Sequence, residues 1–341
     1  MRKTLPILLA LCLLLSGCAQ TGTSGKKQYQ ATYLTLFDTV TTVVGLAESE
    51  EVFRQKAQSI HDQLLVYHQL FDIYNEYEGV ANLKTVNDQA GIAPVAVDGA
   101  IIELLKDCKE YDDLTDGKVN VAMGSILKLW HEARSDGIND PANAYLPAEE
   151  KLEEAAGHVS MDRVDIDEGA STVFLQDPAL SLDVGAIAKG WAAQRVAENA
   201  PEGLLISVGG NVCATGAKDQ DGTPWVIGIQ DPDGGEKYLH TIYVTAGAVV
   251  TSGDYQRTYR VDGKKYHHII DPETRMPSEY WRSVTVVCEN SGLADALSTA
   301  LFLLPLEDGK QLAESCGAQA LWIDTAGEEF MTPGFREMIR T

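Results

Sequence analysis

Apolar residues recur along the chain at two spacings, and the spacing assigns most of the elements. Thr32 to Leu46 alternates and is rich in Thr and Val, the pattern of a strand with one buried face. Val52 to Leu70 and Asp98 to Leu114 carry Ile, Leu, Phe and Tyr at helical spacing, with a long loop, Phe71 to Pro94, between them. Residues 132–160, with Ser-Asp-Gly, Asn-Asp-Pro and Pro147, read as a surface connection holding a short acidic helix. Phe174 to Leu182 is a short strand that leads into an alanine-rich amphipathic helix, Ile187 to Glu198. Leu204 to Val208, Trp225 to Ile229 and Leu239 to Val250 follow as strands. Tyr255 to Val261 and Lys264 to Ile270 flank Asp262-Gly263, a hairpin signal. Ser283 to Cys288 is a strand, Leu293 to Leu304 a helix and Ala320 to Asp324 a last strand. Strands outnumber a simple alternating series and hairpins occur, so the expected class is α+β with a largely antiparallel sheet, not a doubly wound fold. No repeat and no internal linker interrupts residues 31–341.

The start of the chain follows neither spacing. Met1-Arg2-Lys3 is basic, Leu5 to Leu15 is an apolar stretch too short to span a membrane as a mature helix, and Leu15-Ser16-Gly17-Cys18 ends in small residues before a cysteine. This pattern resembles a bacterial lipoprotein signal: residues 1–17 would be removed, Cys18 lipidated, and residues 18–30 left as a flexible tether. An ordinary signal peptide or a weak membrane helix is the alternative. No second long apolar run follows, so no spanning segment is expected. With 341 residues, 45% hydrophobic, the remainder can bury a substantial core.

Charge narrows the partners. Fifty acidic residues against 27 basic ones give a formal charge of −23, which argues against nucleic acid and against electrostatic adhesion to an anionic membrane. A diphosphate ligand would likewise be repelled unless a cation or a local cluster of donors intervened, so a divalent metal is worth seeking. Beyond the leader, Cys108, Cys213, Cys288 and Cys316 have neither metal-site nor disulfide spacing and read as buried thiols.

Several stretches carry candidate chemistry. Residues 181–190, Ser-Leu-Asp-Val-Gly-Ala-Ile-Ala-Lys-Gly, place one carboxylate, two glycines and Lys189 at a strand-to-helix junction. Free amides at the helix start together with Lys189 could receive a phosphate; the alternative is an ordinary helix start with a solvated lysine. Asp295 and Thr299 lie four apart on a helix and share one face among apolar neighbours. A carboxylate, a hydroxyl and a backbone carbonyl, completed by phosphate oxygens and water, suit Mg²⁺; a helix-dipole Asp and a back-bonded Thr are the structural alternative. His267 and His268 are adjacent at a strand end, so strand alternation allows only one to face a site. Residues 206–211 and 250–255 are strand ends with glycines and small hydroxyls, weak cradles on their own.

In order, Asp-Val-Gly-Ala-Ile-Ala-Lys-Gly at 183–190, Val-Gly-Gly-Asn at 208–211, Thr-Ser-Gly-Asp-Tyr at 251–255, His-Ile-Ile-Asp-Pro at 268–272 and Asp-Ala-Leu-Ser-Thr at 295–299 resemble the ApbE family of FAD:protein FMN transferases. The likeness covers most of residues 31–334. It implies an ApbE-like α+β fold, with largely antiparallel mixed sheets flanked by helices in one compact two-lobed unit. It also implies that Asp183, Lys189 and Thr251 contact FAD, that the Ala186 carbonyl with Asp295 and Thr299 holds Mg²⁺, and that His268 lies beside the flavin diphosphate. Phe37, Tyr74 and Val119, Asn120 and Val121 fall where the family contacts the flavin nucleotide. Three places depart from the usual motifs: Phe37-Asp38-Thr39 for Met-Gly-Thr, Asn120 to Gly124 for Asp-Pro-Thr-Val-Gly, and Arg275 for a common Gly.

The implied reaction moves FMN from FAD to a threonine hydroxyl of an acceptor protein and releases AMP. Asp295 and Lys189 would stabilise charge, and His268 or a carboxylate near the metal would take the proton. Acceptors would be exported or membrane-bound flavoproteins with an Asp-Gly-x-Thr-type segment, and the protein an exported lipoprotein on the outer face of the cytoplasmic membrane. An FAD pyrophosphatase and a non-enzymatic flavin-binding lipoprotein are the rival readings.

Overall fold

Fifteen strands and nine helices occupy the described residues. The structure is a computed structural model, and it describes residues 25–235 and 237–341. The chain opens with β1 (Lys27–Leu36) and β2 (Thr39–Ala47), then α1 (Glu50–Phe71), α2 (Leu83–Asp88), β3 (Val95–Ala96), α3 (Gly99–Leu114), α4 (Gly124–Asn139) and α5 (Glu149–Ala156). After β4 (Val164–Asp167) and β5 (Thr172–Leu175) come α6 (Ala188–Asn199), β6 (Leu204–Val208), β7 (Asn211–Ala214), β8 (Trp225–Gln230), β9 (Tyr238–Val244) and β10 (Gly247–Gly253). The last part holds β11 (Tyr259–Val261), β12 (Lys264–Tyr266), β13 (Trp281–Cys288), α7 (Ser291–Leu303), α8 (Leu306–Ser315), β14 (Gln319–Asp324), β15 (Glu329–Met331) and α9 (Pro333–Met338).

Eight strands form one sheet in the order β1-β2-β6-β7-β10-β13-β14-β15, each neighbour antiparallel. Strand alternation divides its two faces. Ala248, Val250, Val284, Val286, Ala320 and Trp322 pack toward α7 and α8, whereas Val249, Val287, Leu321 and Ile323 pack against the β8–β9 hairpin and α9. The second lobe is built on α2, α3 and the small sheet β3-β5-β4, with α4, α5 and the β11–β12 hairpin beside it. The expected α+β class of antiparallel sheets and flanking helices is therefore the one observed.

Local chemistry sets the helix starts. Ser49 accepts the Val52 N–H, Asp98 the Ala100 N–H and Asn290 the Leu293 N–H. Asn82 and Thr85 close a capping box that starts α2 inside the segment expected to be a loop. Other expectations also need correction. The single strand expected over Thr32 to Leu46 is the β1–β2 hairpin, turned by Phe37 and Asp38 at φ of 52° and 51°. No glycine marks that turn, so the alternation conceals it. β1 begins at Lys27, inside the expected tether, because Lys27 to Gln30 pair with Val44 to Ala47. The leader and Cys18 lie outside the described residues.

The 132–160 connection begins as α4, which runs on to Asn139 and packs with α5. β5 stops at Leu175, well short of Leu182. The expected strand Leu239 to Val250 divides into β9 and β10, which belong to different sheets. At that break Gly247 has a φ of 97°, and a Cβ there would meet the Cys288 carbonyl at 2.8 Å. Cys108 and Cys213 are buried, but Cys288 and Cys316 are only half-buried. No described helix is long and apolar enough to cross a membrane.

Candidate active site

The junction before α6 is tied down at each step. Leu182 exchanges two hydrogen bonds with the Asn87 side chain, its N–H donating over 2.7 Å and its C=O accepting over 2.9 Å. The Asp183 N–H donates to Val121 O at 2.8 Å, and its carboxylate accepts from Gly185 N at 2.9 Å. The expected free amides are only partly free: Ile187 and Ala188 donate to Val184 O, and Gly190 N–H donates to Asp295 Oδ2 at 2.8 Å, whereas the Ala186 and Lys189 N–H groups have no acceptor among the described residues. The Gly190 bond has a consequence. In a regular helical turn Gly190 N–H would bond to Ala186 O; its diversion to Asp295 leaves the Ala186 carbonyl without a hydrogen-bond donor among the described residues.

Gly190 permits the arrangement because α6 and α7 cross closely there. A Cβ on it would lie 2.3 Å from Ser291 O and 2.5 Å from Asp295 Cβ. Asp295 is 4% exposed, with Lys189 Nζ 3.8 Å from its Oδ2 and also donating to Gly185 O at 3.1 Å. Burial raises the Asp295 pKa, against the opposing pull of Lys189 and the Gly190 N–H. Burial likewise raises that of Asp183, opposed by the Gly185 N–H. Thr299 Oγ1 makes no hydrogen bond back to its helix among the described residues, whereas Ser298 Oγ does, to Asp295 O.

One open cavity of about 380 Å³ gathers Ala186, Asp295, Thr299, Asp183 and Lys189 with Phe37, Tyr74, Val119, Asn120, Val121, Thr251 and His268. Every expected site residue therefore lines the same space. Some have their polar atoms committed elsewhere. Asn120 donates to Val159 O and accepts from Ala122 N, so its side chain shapes the loop. Thr251 Oγ1 is 2.9 Å from Thr285 Oγ1. Phe37 sits at the hairpin turn, its N–H donating to His68 Nδ1 at 3.2 Å.

The two histidines differ sharply, although β12 ends at Tyr266 and both lie just beyond it. Both touch the cavity wall. His267 is locked: its Nε2 donates to Ser278 O at 2.7 Å and its Nδ1 accepts from Ile269 N at 3.2 Å. His268 Nδ1 is buried with no partner among the described residues. Burial, then the nearby Arg257, pushes the His268 pKa down to about 3, so the imidazole is neutral around pH 7.

Sequence reasoning missed a further set of basic groups in the cavity. Lys118, His131, Arg134 and Arg257 all line it. Lys118 bonds to Asp271 at 3.2 Å and to Glu273 at 3.1 Å. Tyr74 Oη lies 3.2 Å, and Arg134 Nη2 3.4 Å, from His131 Nδ1. His131 and Arg134 are spaced three apart on α4, a usable signal lost because the expected surface connection, residues 132–160, takes in Arg134 and cuts it off from His131. Lys118, Arg134 and Arg257 supply the local cations that the acidic chain needs to accept a diphosphate, whereas burial and the Arg134 charge lower the His131 pKa and favour its neutral form.

The donor set tests the expected metal. Among the described residues no group of three or more His, Cys, Asp or Glu side chains forms a metal cluster. What stands together instead is one carboxylate, one hydroxyl and one unpaired carbonyl, all hard oxygens and too few to complete a shell. Such a set fits Mg²⁺ shared with phosphate oxygens and water.

Known proteins agree with this architecture. The ApbE family model matches residues 37–322, and the chain belongs to that family. It is 36% identical over 260 residues to an FAD:protein FMN transferase of Treponema pallidum, covering 71% of this chain and 70% of that protein. An FAD:protein FMN transferase of Vibrio cholerae is 28% identical, with 98% of both chains covered. Among solved structures, an ApbE protein of Thermotoga maritima superposes with a TM-score of 0.81 at 30% identity, covering 92% of this chain and all of the other. The flavin transferase ApbE of Vibrio cholerae, at 24% identity and a TM-score of 0.74, shares the fold over 92% of this chain and 99% of its own.

Proposed function

We propose that this protein is an FAD:protein FMN transferase, which moves FMN from FAD to a threonine hydroxyl of an acceptor flavoprotein and releases AMP. The carrying observation is the Gly190–Asp295 bond, which frees the Ala186 carbonyl beside Asp295 and Thr299 in a cavity lined with cations. Family membership and the curated relatives support the reading. Mg²⁺ held by Ala186 O, Asp295 and Thr299 would neutralise diphosphate charge and polarise the phosphorus.

The chain's own groups do the rest. Lys189 stabilises negative charge beside Asp295. Neutral His268 is available to take the proton of the attacking hydroxyl, and an anionic diphosphate beside it would raise its basicity from the depressed value. Phe37, Tyr74 and Val119 to Val121 supply the walls that orient the flavin nucleotide. Acceptors of this class would be exported or membrane-bound flavoproteins offering an Asp-Gly-x-Thr-type segment. A lipid on Cys18 would hold the enzyme on the outer face of the cytoplasmic membrane, the side on which they lie. Cys18→Ser should then abolish metabolic lipid labelling and release the protein from membranes; unchanged labelling would refute the anchor.

Because the cavity is open to solvent, water can compete as the nucleophile, giving FMN and AMP by hydrolysis. Incubation with FAD and Mg²⁺, with and without an acceptor domain, separates the outcomes. Covalently flavinylated acceptor supports transfer, free FMN alone makes the protein a pyrophosphatase, and unchanged FAD leaves only binding.

A further inference from the structure

Arg134 and Arg257 come from different elements, α4 and the loop between β10 and β11, yet line the same cavity. Neither forms an ion pair with a carboxylate among the described residues, although the chain carries 50 acidic side chains. The other two cavity cations are occupied, Lys118 by Asp271 and Glu273, and Lys189 by Gly185 O and Asp295. Arg257 holds a φ of 45°, an uncommon conformation for a long side chain. Burial, and after it the neighbouring Arg257 charge, lowers the Arg134 pKa, so this guanidinium is partly desolvated with a like charge near it. Two unpaired guanidinium groups in one cavity call for an anion, and their planar forks suit phosphate.

The cavity offers a phosphate two sets of groups of different make. One is at Lys189, Asp295, Thr299 and the Ala186 carbonyl. The other is at the arginines, near Tyr74, a residue 56% exposed whose ring lies against His131, itself bonded by Arg134, and can serve as a platform for a base. A mononucleotide with its base on Tyr74 would have Arg134 and Arg257 in the same cavity to receive its phosphate.

We propose that Arg134 and Arg257 hold the adenylate-side phosphate of FAD and stabilise the departing AMP. The inference rests on the transferase reading. The acceptor hydroxyl oxygen bonds to the FMN-side phosphorus, and the bond from that phosphorus to the bridging oxygen breaks. The bridging oxygen leaves with its electron pair as part of AMP, and the hydroxyl proton passes to His268. The arginine pair thus faces the charge that grows on the leaving group.

Competition against FAD, with Mg²⁺ present, tests the assignment. AMP should displace FAD from the wild type at least about tenfold better than adenosine does, since adenosine lacks the phosphate. Arg134→Gln and Arg257→Gln should each weaken AMP roughly tenfold while changing FMN and adenosine less than about twofold. Equal competition by AMP and adenosine in the wild type, which requires no variant to fold, would overturn the proposal. So would a loss confined to FMN, which would move the arginines to the other phosphate. Failure of the transferase reading is separate: it would show as an unmodified acceptor in the wild type, whatever the competition results.

Discussion

Two walls of one cavity handle charge in opposite ways. On the α6–α7 wall every charged group is internally engaged: Gly190 N–H and Lys189 both address Asp295, and Lys189 also bonds to Gly185 O. On the α4 and β10–β11 wall, the hydrogen bond of Arg134 goes to His131, and neither Arg134 nor Arg257 has an ion pair among the described residues. The first wall is organised before any ligand arrives, at the cost of burying a carboxylate whose pKa is thereby raised. The second keeps cations available for a ligand to complete. Fixed donors suit the position where a bond changes, and free cations suit capture of an anion by a protein of net charge −23.

Asp295→Ala attacks the organised wall directly and should have the largest effect on activity. Replacing even an outer partner of a metal ligand typically costs 10- to 100-fold, so loss of the carboxylate itself should cost more than about a hundredfold in transfer. Thermal unfolding should shift little, because the change removes a buried charge as well as its hydrogen bond. Full activity of this variant at limiting Mg²⁺ would show that the wall is not the metal site.

Gly190→Ala should disable the same wall by geometry alone. The added Cβ cannot fit 2.3 Å from Ser291 O without parting α6 from α7. Overpacking of this kind should cost about 1–3 kcal/mol of stability, read by denaturant unfolding, with transfer activity falling in parallel. A variant with unchanged stability and activity would mean that the crossing tolerates displacement and that the Ala186 carbonyl does not need this geometry.

The adjacent histidines sharpen the contrast between occupied and available groups. His268→Asn should slow transfer by about a hundredfold with little loss of fold, the usual scale for a general acid or base. His267→Asn should instead cost about 1–3 kcal/mol of stability, since it breaks two buried hydrogen bonds and leaves Ser278 O unpaired. The reverse pattern would exchange their roles. A pH test follows from His268. Its folded pKa, about 3, lies below the ordinary 6.5, so the unfolded state takes up the proton first on acidification. The wild type should lose stability as pH falls through 6.5 toward 3, and His268→Asn should lose less.

Thr299→Val should give the mildest defect. Water can replace one neutral oxygen ligand, so the variant should need more Mg²⁺ but approach wild-type turnover at saturation. A defect as severe as that of Asp295→Ala would give the hydroxyl a larger part than that of a replaceable ligand.

Several features were legible in the chain because they are local. The periodicity of Val52 to Leu70, Asp98 to Leu114 and Leu293 to Leu304 matches α1, α3 and α7 closely. Asp262-Gly263 turned a hairpin as its residue types require, with φ of 49° and 81°. Asp295 and Thr299 shared a helix face by spacing alone. Motif order was enough to name the family and to select residues that all reach one cavity.

What spacing could not reveal depends on contacts between distant segments. The β1–β2 turn has no glycine, so only the pairing of Lys27 to Tyr33 with Thr41 to Ala47 exposes it. Strand alternation did not separate His267 from His268, because both stand beyond the strand; Ser278 O and Ile269 N made the difference. Arg134 and Arg257 are 123 positions apart, and nothing between them in sequence foretells their common cavity. Residue types and periodicity determined which chemistry was present. Tertiary structure alone decided which of those groups were already satisfied, because a hydrogen bond or an ion pair is a property of two residues and only packing chooses the second.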